Sequence, residues 1–574
     1  MIDRKAFTPF DIVKEIWTHL DLPPAALSSL SLPGADGADG ADGASRQQQI
    51  RPVVRSSFKI GHLAQSTIAL SALGAATAHS ALSSIHDSGS ASSSISISIS
   101  IPRVTVPLRH ATLEFHCERL YTLAGKPPAE SWGPIGGVHP TADGGHVRIH
   151  DVFPHHREGA LALLGLPLSC TDRAAVSART RKWKAVELET VAVEEGGLAI
   201  YALRSFAEWD ALPQARAQDD IPVTIRTIEI PPYPSSSSSS SSPPSSAPSP
   251  SPPPPHSGGD EPAKRNSKRS LSGIRVLELS RVIAAPVAGK TLAAHGADVL
   301  WVTSPNLPDL PGLDREFARG KRSARLDLER GADRAALLEL AGGADVVIQG
   351  YRPGSLAARG LDPVVLALAR ARGGGRGEGK KGNRGRGGVV VANLAAFGPG
   401  GPWEGRRGFD SLVQTCSGLN IAEAEAFGAG VVEGAHARAL PCQALDHAAG
   451  YLLAAGVCAA LYKRERDMED GRRVGAYVVD VSLAGVAGYL RSLGQFEGRD
   501  GFEEGEDLVA ASGLWGGGNG EKKKEEKKDE LFETRETAFG EMTFLRHSAR
   551  IEGFEPAWDV MPRPLGSDEA VWKS

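Results

Sequence analysis

GIRVLELSRVIAAPVAGKTLAAHGADVLWV, residues 273–302, is the stretch from which the fold is read. Ile274–Leu279 is a short apolar run suited to a buried strand, Val287–Ala294 reads as a helix, and Ala297–Val302 as a second strand. The unit recurs downstream as a helix around Asp333–Leu340, the strand Ala344–Gln349, a helix from Pro363 and the strand Val389–Leu394. Strands alternating with helices imply right-handed crossovers and an α/β fold, an open parallel Rossmann-like sheet covered on both faces. Ligands of such sheets sit at the carboxyl ends of the strands. The first such loop, Ser280–Pro286, lacks the GxGxxG spacing of a dinucleotide site, so a conventional NAD-binding fold is disfavoured. Its small residues still let a ligand approach the backbone closely.

Outward from this core, the chain of 574 residues has room for three to four domains at roughly 150 residues each, or for two large ones with linkers. Lys and Arg total 64 against 68 Asp and Glu, a formal charge of −4 that argues against a nucleic-acid or anionic-membrane binder. With 66 Gly and 39 Pro, part of the chain is linker. Five biased tracts stand out: GADGADGADGA from Gly34, SASSSISISISI from Ser90, a Ser/Pro run over Pro234–Gly259, an Arg/Gly tract from Gly373 and a lysine-rich tract from Gly516. None can supply a core, and all read as solvated linkers or insertions. They divide the chain into 1–230, a linker at 231–270, 271–492 and a C-terminal extension at 493–574.

The cysteines Cys117, Cys170, Cys416, Cys442 and Cys458 are odd in number and have no CxxC spacing, which speaks against a disulfide scaffold or zinc module and for a reducing compartment. MIDRKAFTPFDIVKEIWTHL carries acidic residues among its apolar ones and reads as an amphipathic helix rather than a signal or transit peptide. An intracellular location, cytoplasmic or mitochondrial, is therefore expected. The apolar stretch His62–Ile85 is interrupted by Gln65, Ser66, Thr67, Ser71, Thr77 and His79, and reads as a packed small-residue helix rather than a membrane span.

Six blocks in order carry a resemblance: 273–302, Arg319–Leu328, Ala344–Gly360, Gly408–Leu419, the block ALDHAAGYLLAAGVCAALYKRE and VVDVSLAG. Together they resemble the family III CoA-transferases of the CaiB/BaiF type, a group that includes formyl-CoA and carnitine CoA-transferases and α-methylacyl-CoA racemase. The resemblance covers about residues 271–492. It implies a CoA-binding Rossmann-like domain with a second, smaller α+β domain. No permanently bound cofactor is implied; CoA and acyl-CoA enter as substrates, with a small carboxylic acid as partner.

The resemblance makes Asp446 the catalytic residue, in the block Ala444–Gly450. Asp446 opens an apolar helix, so its carboxylate is expected at the positive end of the helix dipole and ionised at neutral pH. Gly450, one turn on, is expected to leave space above it for a thioester. The implied chemistry is attack of Asp446 on a donor thioester, an acyl-aspartyl anhydride, and an aspartyl-CoA thioester from which an acceptor carboxylate collects CoA. Backbone N–H groups, of a glycine loop for example, would steady each oxyanion. The implied CoA contacts are Ile283, Ala284, Leu326, Tyr351, Arg352, Arg407, Gly408, Phe409 and Asp410, with Arg407 suited to a phosphate. Thr303-Ser304 and Gly350 depart from the family pattern, and Lys321-Arg322 read as structural.

An internal repeat is also expected. KIGHLAQSTIALSALGAATA (Lys59–Ala78) parallels the catalytic block, setting Gly61 against Asp446 and His62 against His447, and Val104–Leu108 parallels Val479–Leu483. This degenerate copy lacks the carboxylate, so it is expected to act as a lid or as the non-catalytic half of a pair, leaving homodimer and intramolecular pseudo-dimer both open. Thr141–Gly144 with hairpin chemistry and Trp209–Leu212 look like the smaller domain. His146, His150, His155 and His156 have no ligand geometry, and no metal site is expected. Two rival functions are weighed. Racemisation of a 2-methylacyl-CoA needs two bases, yet Phe409 stands where the racemase pattern has histidine, and His447 points about 100° away from Asp446. A non-catalytic CoA-binding protein is the other.

Overall fold

The computed structural model describes residues 2–34, 51–87, 101–229, 269–373, 387–428, 436–472, 474–514 and 530–573. The biased tracts lie almost wholly outside these residues, as does the glycine run 516–520.

The elements that build the site are, in chain order, helix α1 (Ile60–Asp87), a small antiparallel sheet of β1 (Gly137–Pro140), β2 (His146–Ile149) and β3 (Ile200–Ala202), and strand β4 (Val223–Ile228). After the linker come β5 (Arg275–Leu279), α2 (Ala284–Ala294), β6 (Asp298–Thr303), β7 (Lys321–Arg325), β8 (Val346–Gln349) and β9 (Val389–Ala395). Helices α3 (Asp410–Cys416) and α4 (Ala444–Glu469), strand β10 (Ala476–Ser482) and helix α5 (Leu483–Ser492) follow.

The main sheet has seven strands in the order β7-β6-β5-β8-β9-β10-β4. The first six are parallel and run in the doubly wound order that reverses between β5 and β8. The expected α/β sheet is present. β7 and β10 join the strands read from the sequence, and the last strand comes from an unexpected place. β4 belongs to the N-terminal part and pairs antiparallel with β10, from Ala476↔Ile228 to Val481↔Val223. Among the described residues, three of the four sheets draw strands from both sides of the Ser/Pro run. The segments divided by that run therefore share sheets and one continuous core.

The centre of that core is the pairing of α1 with α4. Small side chains allow it: a Cβ on Gly74 would lie 3.0 Å from the Cβ of Cys458. The hydroxyls inside α1 need no outside partner, since Thr67 and Thr77 donate to the carbonyls of Leu63 and Leu73, each at 2.8 Å. Gln65 donates to the carbonyl of Val106 at 2.8 Å. α1 is thus a packed helix, as read from its composition. α4 is the one described helix long and apolar enough to cross a membrane, and its apolar window is entirely buried in the protein. α1 is followed by a short strand (Val104–Thr105) and a helix (Leu108–Glu114), the same succession as α4, β10 and α5.

Lys321 and Arg322 hold the sheet. Lys321 Nζ lies 2.8 Å from Glu278 with both side chains fully buried, and Arg322 pairs with Asp298 at 3.1 Å. Gly289 of α2 leaves the space that the Glu278 carboxylate occupies. Ser280 donates to Glu278 at 2.6 Å and Trp301 Nε1 to the Ser280 carbonyl at 3.0 Å, which pins the start of the loop after β5.

Candidate active site

Three adjoining cavities open at the carboxyl edge of the main sheet, beside the β5/β8 reversal. A narrow cleft of about 100 Å³ lies between the loops that follow β5 and β8, with Asp446 in its wall. It shares Arg281, Tyr351, Arg352 and Phe409 with an outer cavity of about 470 Å³. It shares Ile283, Phe409 and Asp446 with an inner chamber of about 680 Å³. Asp446 therefore stands where the cleft meets the chamber.

Asp446 is the third residue of α4; Gln443 is the N-cap. Its surroundings overturn the expectation that it stays ionised. Burial is the first cause, and the Asp410 and Glu118 carboxylates add to it, pushing the Asp446 carboxyl well above the ordinary range. A helix N-terminus offers about 0.3–1 kcal/mol to a carboxylate, up to about 2 in partly buried sites. Withdrawing a carboxylate from water costs several kcal/mol, so burial wins.

Asp410 was expected among the CoA contacts, and the structure gives its carboxylate another task. It is fully buried, and one oxygen accepts the backbone N–H of Leu445 at 2.8 Å and of Asp446 at 2.9 Å. Gln414 donates to the other oxygen. Asp410 thus caps α4 from a neighbouring helix. Its own carboxyl is raised to about 6 by burial, which outweighs these hydrogen bonds.

Gly450 also acts otherwise than expected. A Cβ there would come within 2.5 Å of the Ala284 carbonyl and 2.6 Å of the Val287 Cβ, so the missing side chain lets α4 cross the start of α2 rather than making room for a thioester. The crossing sets Asp446 beside the N-terminus of α2. The amides of Ala284 and Ala285 there have no intrahelical acceptor, and both residues line the cleft. Just before them, Val282 has φ +71°, a left-handed conformation that a β-branched residue adopts only under constraint. Val282 borders the cleft, the outer cavity and the chamber alike.

The outer cavity collects Leu326, Tyr351, Arg352, Arg407, Gly408 and Phe409 of the expected set; Ile283 and Ala284 stay in the cleft. Thr303 and Ser304 line it too. The Arg407 guanidinium donates to the Gly197 carbonyl of the small domain, and Tyr201 Oη donates to the Arg407 carbonyl at 2.5 Å, so Arg407 ties that domain to the cavity. The residues that sequence reasoning missed are Arg281, His155 and His156. Burial, then His155, Arg407, Arg281 and Arg352, hold the His156 imidazole down at about 3. Four arginines line this opening, Arg281, Arg352, Arg359 and Arg407, of which Arg359 is paired with Glu329; the other three, beside His155 and His156, suit a polyanionic ligand. The dipeptide His155-His156 is the signal of this opening that the sequence carries.

The inner chamber is walled by both parts of the chain: Glu118, Arg119, Pro127–Trp132, His150 and Val152 of the N-terminal part, and Ile283, Phe409 and Leu440–Gln443 among the residues of the C-terminal part. His150 stacks on Phe409 with ring centroids 3.8 Å apart. The nearby glycine-rich loop does not offer its amides as an oxyanion hole, because Gly133, Ile135 and Gly136 donate them to the Asp151 carboxylate at 3.2, 2.8 and 2.7 Å. His447 points away from the cleft and its Nε2 lies 3.0 Å from Glu118 Oε2. Cys117, Glu118 and His447 are the one group among the described residues with clustered metal-ligand atoms. Lys290 Nζ donates to Cys117 Sγ at 3.2 Å.

Residues 271–372 and 380–508 match the family model of CoA-transferase family III. An acyl-CoA transferase of Gibberella moniliformis is 30% identical over 302 residues, 51% of this chain and 46% of that protein. A Mycobacterium tuberculosis protein named a probable fatty acyl-CoA transferase is 33% identical over 232 residues, 38% of this chain and 53% of that one. A crystal structure of the latter protein matches with a TM-score of 0.32 at 30% identity, covering 40% of this chain and 57% of that chain. The chain thus spans about half the length of these two curated relatives.

Proposed function

We propose that this protein moves CoA from an acyl-CoA thioester to a carboxylic acid, with Asp446 as the nucleophile. The observation that carries the reading is the position of Asp446 at the junction of a cation-lined outer cavity and a largely apolar chamber. The first suits the phosphates of CoA and the second an acyl chain or acid.

In this reading Asp446 must first lose its proton. Its carboxylate attacks the thioester carbon, the C–S bond breaks, and CoA thiolate leaves an acyl-aspartyl anhydride. The thiolate attacks the aspartyl carbonyl and releases the donor acid, giving an aspartyl-CoA thioester. An acceptor carboxylate attacks that carbonyl, and the displaced thiolate takes the acceptor's acyl carbon, restoring Asp446. The amides of Ala284 and Ala285 are the donors best placed for the oxyanions. One chain supplies both walls of the chamber, which supports an intramolecular pseudo-dimer.

The test is Asp446→Asn, which keeps the volume and cannot form an anhydride. Transfer between acyl-CoA and a panel of acids should vanish while CoA still binds; a variant keeping more than about a hundredth of the rate removes Asp446 from the nucleophile role.

One observation favours a second reading, epimerisation of a 2-methylacyl-CoA. The His150 imidazole, kept neutral by burial, lines the same chamber as Asp446, so two bases face one cavity. Deuterium entering the α-carbon in D2O without CoA transfer would select it.

A further inference from the structure

One buried group of side chains at the wall of the inner chamber has no task in the transfer reaction. Cys117 Sγ, a carboxylate oxygen of Glu118 and a ring nitrogen of His447 lie within 4.8 Å of one another, and all three residues are buried. The short helical turn Cys117–Arg119 brings the first two from the N-terminal part, and the first turn of α4 brings His447. Charge around them is unbalanced. Lys290, which donates to Cys117, is paired with Glu316 at 2.9 Å, and Arg319 meets the same carboxylate. Glu118 is left with His447 as its one ion-pair partner among the described residues. A charge taken out of water is ordinarily paired or coordinates a metal. The residue before Cys117 adds a second observation. His116 is 2% exposed and neither of its ring nitrogens has a hydrogen-bond partner. Burial holds its imidazole down at about 4, and Glu118 is the first charge acting on it.

We propose that Cys117, Glu118 and His447 form a zinc site that ties the N-terminal part to the catalytic helix α4. Thiolate, imidazole and carboxylate are the donor types of zinc, and three protein ligands leave the fourth position to a water. Donors about 2.0–2.3 Å from zinc stand roughly 3.3–3.6 Å apart in a tetrahedron, so the group closes on the ion by shifts of about 1 Å. Glu118 lines the chamber, which gives its carboxylate room to move and the ion a way in. A zinc-bound water is a partner of the kind that the His116 nitrogens lack. Binding displaces the thiol proton, which burial otherwise keeps on Cys117, and releases it to solvent. Lys290 then donates to a metal-bound thiolate, the outer contact that holds a ligand in place. The ion offsets the Glu118 charge that acts on Asp446, and burial and Asp410 remain to keep its proton.

The site stands apart from the proposed transfer, and its test needs no activity. Zinc and cobalt(II) are the probes, added to the full-length protein after chelator treatment. A single zinc should survive desalting, and X-ray absorption should show one sulfur at about 2.3 Å with nitrogen or oxygen ligands at about 2.0 Å. Cobalt should give a thiolate charge-transfer band in the near ultraviolet and visible bands of tetrahedral intensity. Cys117→Ser should remove the charge-transfer band, and Glu118→Gln should weaken zinc binding at least about tenfold. Cys170→Ser, which changes the half-buried thiol, and Cys442→Ser, which changes the one lining the chamber, should leave both unchanged. A protein that retains no zinc, a zinc without sulfur, or a band that follows Cys170 or Cys442 overturns the site. Unfolding curves in chelator verify that each variant folds. Should Cys117→Ser not fold, Glu118→Gln decides, and an unchanged zinc affinity there overturns the site.

Discussion

The carboxylate of Asp410 accepts the backbone N–H of Asp446 at 2.9 Å, so two acidic residues are held together at the first turn of α4. The contact does two things at once. It caps a helix whose N-cap, Gln443, makes no side-chain cap hydrogen bond, and it places a carboxylate where it opposes ionisation of Asp446.

Asp410→Asn keeps an oxygen for the two amides and removes the charge. Asp446 should then ionise more readily, and the acid limb of kcat/KM should move down by about one pH unit. The pH–rate profile is the measurement, and a limb that does not move contradicts the coupling.

Stability should respond to pH in the same direction. Asp410 is raised from its ordinary 3.8 to about 6, and Asp446 is raised further by burial and its two acidic neighbours. A carboxyl whose folded value is raised contributes stability below its unfolded value and loses it as the pH climbs through the folded one. The melting temperature should therefore fall from pH 5 to pH 8, and fall less in Asp446→Asn. That variant should be inactive and yet more stable than wild type at pH 8. Thermal unfolding across this range checks it; parallel curves count against a buried, raised carboxyl.

Much of the site was legible along one stretch of chain. Loops after the strands at 275–279 and 346–349 meet at the sheet reversal, and Ile283, Ala284, Tyr351 and Arg352, which the family resemblance implies as CoA contacts, lie there together. Glu118, Arg119 and His150 were not legible in this way. They reach the site only because β4, α1 and the strand Tyr121–Leu123 are built into elements from the other end of the chain. Nor does a sequence show burial: Asp446 at a helix start reads as ionised until Asp410, Glu118 and the core close around it. Gly450 was read as making space for a ligand because its partner across the crossing, α2, lies more than 150 residues away.

Gly450→Ala tests that crossing. The added methyl meets the Ala284 carbonyl at 2.5 Å, a backbone atom that cannot rotate aside. We expect a loss of about 1–3 kcal/mol in urea unfolding, with activity falling further than stability accounts for as the α2 amides shift. Unchanged stability would mean that the two helices have room to separate.

Expressed alone, Leu271–Ser574 should be insoluble or inactive. It lacks α1, which covers α4, and β4, which covers the edge of β10. Supplying Met1–Ile230 in trans should return activity. A soluble fragment with full transfer activity would show that the N-terminal part is dispensable.

CoA transfer through Asp446 requires a covalent intermediate on its carboxylate. Incubating the protein with acyl-CoA, quenching with hydroxylamine and mapping the peptides by mass spectrometry tests it most directly. A hydroxamate on Asp446, absent without acyl-CoA, is the predicted result; an unmodified Asp446 in a preparation that transfers CoA, or a hydroxamate on another residue, would contradict it.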